Sequence, residues 1–213
     1  MDTIGIVLLV LLGVVLVAVL WGVATYNGFV RLRNLVQEAW RQIDVELHRR
    51  HDLIPNLVET VKGYAAHERA VFDEVTTARA SAAAPGSGPA QQAQQENVLT
   101  AALGRLFAVA EAYPQLRANE NFLALQAELT NTEDRIAAGR RFYNANVRQL
   151  NTKVETFPPN IIAGWFGFAR AEYFETEDPA VRAVPSVSFG TASPSGPGAA
   201  GPTSPYQAPG TGA

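Results

Sequence analysis

Two histidines lie close together on one predicted helical face and offer the clearest candidate for metal chemistry. His48 and His51 are three positions apart, and Asp44 precedes His48 by four positions, so the three side chains share one side of a helix. Arg49 and Arg50 flank the histidines and oppose a bound cation. Spacing without a further convergent ligand is weak evidence, so the sequence favours a solvated polar face over a metal site.

The other ionisable side chains show no catalytic arrangement. His67 precedes Glu68, but the second histidine of a zinc-protease signature is missing at the required helical offset. Glu133 and Asp134 are interleaved with arginines, which is typical of a solvated helix face carrying ion pairs. The sequence also lacks a phosphate-binding glycine loop. These patterns predict no catalytic residues and no cofactor.

The apolar segment Phe157–Phe168 is the strongest candidate for a contact with a partner or a membrane. Its apolar run is far too short to span a bilayer. Two interpretations remain: the segment folds back as a plug on the end of a helical bundle, or it is exposed for docking. Large aromatics are more often buried, so we expect the plug, with Trp165 in the core. The docking alternative would use Ile161, Ile162, Trp165, Phe166 and Phe168.

An apolar run near the N-terminus predicts a membrane-spanning helix. Positions 4–24 carry no charged residue and would extend about 31 Å as a helix, the thickness of a bilayer core. A cleaved signal peptide is the alternative, but residues 1–3 contain no basic side chain and the sequence after the run is a poor cleavage site. The interpretation is therefore a retained anchor, with the lipid bilayer as its first partner.

Charge asymmetry predicts the orientation of this anchor. Arg31, Arg33 and Arg41 follow the run, and basic residues beside a span stay in the cytoplasm. We therefore expect residues 1–3 outside the cytoplasm, a single membrane span, and the rest of the chain in the cytoplasm. The sequence has no cysteine, which excludes disulfides and a lipid-modified cysteine. A net charge of −3 gives no basic field for nucleic acid.

The remaining chain predicts helices followed by a disordered tail. Residues 179–213 are rich in Pro, Gly and Ser and bury too little apolar surface to fold. Residues 81–95 form a second loose stretch, because Pro85 and Pro89 would break a helix there. A helix over residues 92–113 should follow. The residues from 29 to 80 should form one helix kinked at Pro55 or two helices end to end.

The clearest predicted helix covers residues 121–156, with Asn119 as its N-cap and the following prolines as its stop. Its seam positions advance in steps of three and four, close to coiled-coil spacing. They are Phe122, Leu125, Leu129, Thr132, Ile136, Gly139, Tyr143, Val147, Leu150 and Val154. The sequence therefore predicts an all-α fold: an elongated antiparallel bundle of three long helices over residues 26–175, behind the anchor.

Several sequence blocks, in order, resemble the LemA family of bacterial membrane proteins. The longest block runs from Arg49 to Tyr64, and Phe157–Ala163 reads Phe-Pro-Pro-Asn-Ile-Ile-Ala. Further blocks begin at Tyr26, Arg31, Ala39, Leu125, Thr132, Arg140, Phe166 and Tyr173. The resemblance implies an N-terminal span in the bacterial inner membrane, an all-helical bundle, and no established enzymatic activity or cofactor. It also implies an organising role at membranes, since related proteins occur in magnetosome membranes.

Two hypotheses of function follow. The first is a membrane-anchored interaction or scaffold protein that binds unidentified membrane or cytoplasmic proteins, or further copies of itself. The second is an enzyme or metal-binding protein that uses Asp44, His48 and either Glu128 or Glu133 in the bundle. Metal sites in bundles usually use paired Glu-x-x-His motifs, which this sequence lacks, so the first hypothesis is favoured.

Overall fold

A computed structural model describes residues 2–175, which contain six helices and no strand. The first helix, α1 (Thr3–Lys62), is 60 residues long, or about 90 Å at 1.5 Å per residue. It carries the apolar run at its N-terminal end and a large part of the bundle core at its C-terminal end. The predicted all-α fold is therefore confirmed. The predicted disordered tail, residues 179–213, lies outside the described residues.

Most of the apolar run of α1 is exposed in the described structure. Its most apolar window has a mean hydropathy of 3.2, and none of that window is buried. By length and composition this is the one helix in residues 2–175 that can cross a membrane. A long exposed surface of Val, Leu and Ile is not stable in water, so this surface requires an apolar environment.

Five shorter helices complete the fold. The helix α2 (Arg69–Ala82) follows a turn, and α3 (Pro89–Glu111) begins at Pro89, which fits the first turn of a helix. The one-turn helix α4 (Pro114–Arg117) leads into α5 (Glu120–Glu155), which the Asn119 side chain caps by accepting from the Phe122 N–H at 3.0 Å. The last helix is α6 (Pro159–Phe166). The predicted loose stretch thus shrinks to a short turn before Pro89.

The two longest helices, α1 and α5, pack antiparallel. Gly28 faces Lys153 at one end of the pair, and Arg49 pairs with Glu128 toward the other. Gly139 lies where a Cβ would approach Ile43 Cγ1 to 3.0 Å, so the missing side chain lets the helices approach closely. The predicted α5 seam is confirmed. Its buried members are Phe122, Leu129, Thr132, Ile136, Tyr143, Val147 and Leu150.

The bundle core has two parts. The half nearest the apolar run joins α1 to the C-terminal half of α5 and to α6. The far half joins the C-terminal part of α1 to α2, α3, α4 and the start of α5. On α1 the first part ends at Leu47 and the second begins near Ile54. The residues between them, Arg50 and His51, are buried and polar, so a polar layer divides the core.

Pro55 does not divide α1. A proline removes one backbone N–H, which here would have donated to the His51 carbonyl four positions earlier. Arg79 of α2 replaces that donor, because its Nε lies 2.5 Å from the His51 carbonyl oxygen. Both alternatives predicted for residues 29–80 are wrong in part: α1 continues through Pro55, and the chain leaves the helix at residues 63–68 before α2 begins. The proline therefore leaves the His51 carbonyl of α1 free to accept a hydrogen bond from α2.

We expect Arg79→Met to lower the free energy of unfolding by about 1–3 kcal/mol, the cost of leaving a partly buried acceptor without its donor. In a Pro55→Ala background the backbone N–H at position 55 is restored and can satisfy the same carbonyl. In this background, Arg79→Met should lower the free energy of unfolding clearly less than it does when Pro55 is present. Chemical unfolding of the four proteins measures this coupling, and equal losses in both backgrounds would show that Arg79 does not serve the proline site.

Candidate functional site

The buried polar layer joins α1 to α3 through one carboxylate. Glu96 is 5% exposed; its Oε2 lies 3.3 Å from Arg50 Nη1, and its Oε1 lies 2.8 Å from His51 Nε2. Gln92 donates to Oε1 at 2.9 Å, and Arg50 also donates to Thr100 Oγ1 at 2.7 Å. Buried charges are stable only when they are paired and hydrogen-bonded in this way. The layer therefore acts as a specific joint between helices.

The sequence predicts that Arg50 and His51 lie on a solvated face of the helix, and this prediction is wrong. Arg50 and His51 are 4% and 5% exposed, because their positions continue the core stripe of α1 and face Glu96. Asp44 and His48 do lie on the surface, where the His48 ring contacts the Asp44 carboxylate at 3.4 Å. Sequence reasoning missed Glu96, which lies 45 positions from His51 and carries no local signal.

The structure does not bring together the residues of the alternative metal site, which are Asp44, His48 and either Glu128 or Glu133. Glu128 pairs with Arg49, and Glu133 Oε2 lies 3.3 Å from Arg50 Nη1, so both carboxylates are neutralised by arginines. In residues 2–175 no group of three or more His, Asp or Glu side chains is arranged to hold a metal ion. Cavities of about 470 and 320 Å³ border the polar layer on the Arg50 and His51 sides. Both are lined in part by the satisfied polar groups described above.

The helix α6 is short and sharply bounded. Pro159 starts it, and Gly167 ends it with φ of 69°, a left-handed conformation that favours glycine. The Phe168 N–H donates back to the Ala163 carbonyl at 2.9 Å, which closes the last turn. The chain therefore reverses at Gly167, and Phe168 points toward the bundle while the end of α6 does not.

The structure divides the five predicted contact residues into two groups. Ile162 and Phe168 are buried, at 7% and 9% exposure. Trp165, Phe166 and Ile161 are exposed by 78%, 59% and 42%. The expectation that Trp165 plugs the bundle is wrong, because α6 turns only its Ile162 and Ala163 side inward. Phe157, 75% exposed, adds to the outer surface; Phe157, Ile161, Trp165 and Phe166 together form the α6 patch.

The inner side of α6 packs beside the end of the apolar run. Ile162 Cδ1 lies 3.9 Å from where a Cβ of Gly22 would stand. The Tyr26 ring contacts the Phe166 ring edge-on, with centroids 4.8 Å apart. Phe29 is fully buried and stacks on Phe168 at 4.9 Å. The α6 patch is therefore held at the level where α1 passes from the apolar run into the bundle.

Two asparagines of α5 hold the chain after α6 in place. Asn151 donates to the Ala171 carbonyl at 3.0 Å and accepts from the Ala171 N–H at 2.8 Å. Asn144 makes the same pair of bonds with Phe174, at 3.1 and 3.0 Å. The two asparagines are seven positions apart, two helical turns, so they face the same extended segment. This spacing of two helical turns is the signal in the sequence that indicates the contact.

Tyr143 adds a third tie to this segment. Its hydroxyl donates to the Glu172 carbonyl at 2.8 Å. Burial, with the negative charge of Glu172, raises the pKa of Tyr143 to about 12, so the hydroxyl keeps its proton at neutral pH. Phe174 packs edge-on against Trp40 at 5.4 Å. The segment after α6 is thus fixed to both long helices, which restricts the position of α6 itself.

These features define a class: an all-helical bundle whose first helix carries an apolar run long enough to cross a membrane. The sequence profile of the LemA family matches residues 39–189. The chain belongs to the LemA family. The predicted resemblance is therefore confirmed.

Named relatives agree with this assignment. The chain is 30% identical over 180 residues to the magnetosome proteins MamQ 1 and MamQ 2 of Paramagnetospirillum magneticum, covering 73% of this chain and 66% of each relative. It is 27% identical over 140 residues to Protein LemA of Metamycoplasma hominis, covering 64% of this chain and 63% of that protein. The chain thus spans just under two thirds of these relatives. None of their names specifies an enzymatic reaction, and with the apolar run they indicate a membrane-associated helical protein.

Proposed function

We propose that this protein is a membrane-anchored scaffold, which holds a helical bundle at a membrane surface and binds other proteins there. The observation that carries the proposal is the continuity of α1. One uninterrupted helix includes both the unburied apolar run and the buried core residues from Phe29 to Val61. A continuous helix transmits orientation, whereas a flexible linker would let the bundle rotate freely. The bundle is thus held at a fixed angle to its anchor.

The interior of the bundle supports a structural rather than a catalytic role. Its buried charged groups, Arg50 and Glu96, bind one another and their polar neighbours. Catalytic acids and bases are usually poised in clefts with perturbed pKa values. The raised pKa of Tyr143 is explained by burial beside the segment it holds and by the negative charge of Glu172. The magnetosome relatives are consistent with a role in organising a membrane.

The proposed orientation places the bundle in the cytoplasm of a bacterial cell, at the inner membrane. Arg31 and Arg33 are exposed just after the apolar run, where basic residues favour the cytoplasmic side. A reporter that is active only outside the cytoplasm, fused to the C-terminus, should be silent. Strong activity would place the bundle on the opposite side, and it would leave the scaffold proposal itself intact.

Crosslinking in native membranes tests the scaffold proposal. Three tagged proteins are compared: the full chain, a chain whose residues 4–24 are replaced by an unrelated apolar span, and those residues alone fused to an unrelated soluble domain. If the bundle binds the partners, the first two should be crosslinked to the same proteins and the third should not. Capture of the same set by all three, or of nothing above background by the full chain, would contradict a scaffold.

A further inference from the structure

We propose that the α6 patch inserts into the surface of the same membrane that α1 anchors, as a second contact with lipid. The proposal rests on the membrane anchoring proposed above. Four large apolar side chains lie exposed together at one end of the bundle, with Trp165 and Phe157 about three quarters exposed. Exposed apolar surface of this kind marks a contact with a partner or a membrane. The position of the patch decides between these occupants.

The patch lies at the height of the membrane boundary. Gly22 and Tyr26 of α1, which lie against Ile162 and Phe166 of α6, are within the end of the apolar run and two positions beyond it. Phe29, which stacks on Phe168 just after α6, is five positions beyond the run. If that run spans a bilayer, α6 is held at the level of the lipid headgroups. Trp21 and Tyr26, which are 41% and 36% exposed, lie at the same level of α1. Tryptophan and tyrosine favour this interface because one part of the ring system is apolar and another forms hydrogen bonds.

The surrounding charges favour phospholipid over an apolar protein surface. The guanidinium of Arg33 lies 5.5 Å above the Phe168 ring, and the Lys153 amino group lies 4.8 Å above the Phe29 ring. Arg31 is exposed on the same stretch of α1. Basic side chains beside aromatic ones match anionic headgroups above acyl chains. The occupant is therefore a bilayer surface that contains anionic lipid.

The packing of α6 explains why the patch can reach lipid without unfolding the bundle. Ile162 and Phe168 already fill the bundle end, and the asparagine bonds hold the segment that follows. Trp165 makes no contact that the core requires, since most of its surface is exposed. Insertion therefore buries apolar area that water now covers, which is favourable. Two contacts, the span and the patch, would also fix the tilt of the bundle on the membrane.

Three tryptophans, two at the level of the membrane boundary and one in the bundle, make the test internal to the chain. Trp21 lies in the apolar run, Trp165 in the α6 patch, and Trp40 in the bundle beside Tyr143 and Phe174. Three full-length proteins each keep one tryptophan, with the other two changed to Phe. They are reconstituted into vesicles of phosphatidylcholine and phosphatidylglycerol that contain lipid brominated near the head or near the end of the acyl chain. Bromine quenches tryptophan emission at short range.

The expected result is strong quenching of Trp21 and Trp165 and little quenching of Trp40. Trp165 should respond most to bromine near the headgroup. If Trp165 is no more quenched than Trp40 while Trp21 is quenched, the anchoring stands and the α6 contact is overturned. A blue-shifted but unquenched Trp165 would overturn it in favour of a contact with a second copy of this protein. If Trp21 is also unquenched, the anchoring proposal fails as well.

Discussion

Replacing Glu96 by Ala should lower the free energy of unfolding by about 3–5 kcal/mol, the usual cost of breaking a buried charge pair. The carboxylate is the shared acceptor for Arg50, His51 and Gln92. Its removal leaves the Arg50 charge with one partly exposed carboxylate, that of Glu133, and leaves the His51 ring without its partner. Chemical unfolding of the full chain in detergent, followed by circular dichroism, measures the loss.

Glu74→Ala is the matched control for this change. Glu74 pairs with Arg105, also between two packed helices, but both side chains are substantially exposed. Exposed pairs contribute about 0–1 kcal/mol, so this substitution should have little effect. If Glu96→Ala lowers the free energy of unfolding no more than Glu74→Ala does, the polar layer does not act as a joint between α1 and α3.

Phe29→Ala should also lower the free energy of unfolding by about 3–5 kcal/mol, as for other fully buried large aromatics. The Phe29 ring is 0% exposed and is enclosed between Phe168 and Lys153. Its loss opens a cavity where α1, α5 and the segment after α6 meet. Partial burial here also lowers the pKa of Lys153.

Phe157→Ala and Trp165→Ala provide the matched controls. Both side chains are large and aromatic, but they are 75% and 78% exposed, so each change should stay within about 1 kcal/mol. This prediction reverses the expectation from sequence, in which Trp165 filled the core. A loss of several kcal/mol for Trp165→Ala, or a small loss for Phe29→Ala, would contradict the described packing of α6.

Periodicity was sufficient to predict α5 and much of the buried face of α1, but not the break at residues 63–68. The α5 seam follows from residue spacing alone, because one helix face must be apolar when it packs along a partner. The same period could have placed His51 in the core. Leu47 and Ile54 are buried core positions of α1. A buried face whose positions advance in steps of three and four must include one residue between these two. The residue there is charged or polar, and its partner Glu96 lies on another helix.

Two features could not be predicted from local sequence because distant residues decide them. Whether Pro55 ends a helix depends on a donor for the His51 carbonyl, and Arg79 supplies it from α2. Whether Trp165 is buried depends on which side of α6 faces the bundle. Composition identifies the segment Phe157–Phe168 as apolar. The left-handed turn at Gly167 turns Phe168 toward the bundle, whereas Trp165 stays exposed.

Alkaline carbonate extraction tests the central claim, that the apolar run of α1 anchors the bundle in a membrane. This treatment releases peripheral proteins, including any held only by the α6 patch, and leaves spanning proteins in the pellet. The full chain should stay in the pellet, whereas the chain lacking residues 1–25 should enter the supernatant and keep its helical circular dichroism. Release of the full chain, or retention of the truncated chain in the pellet, would contradict anchoring by this helix.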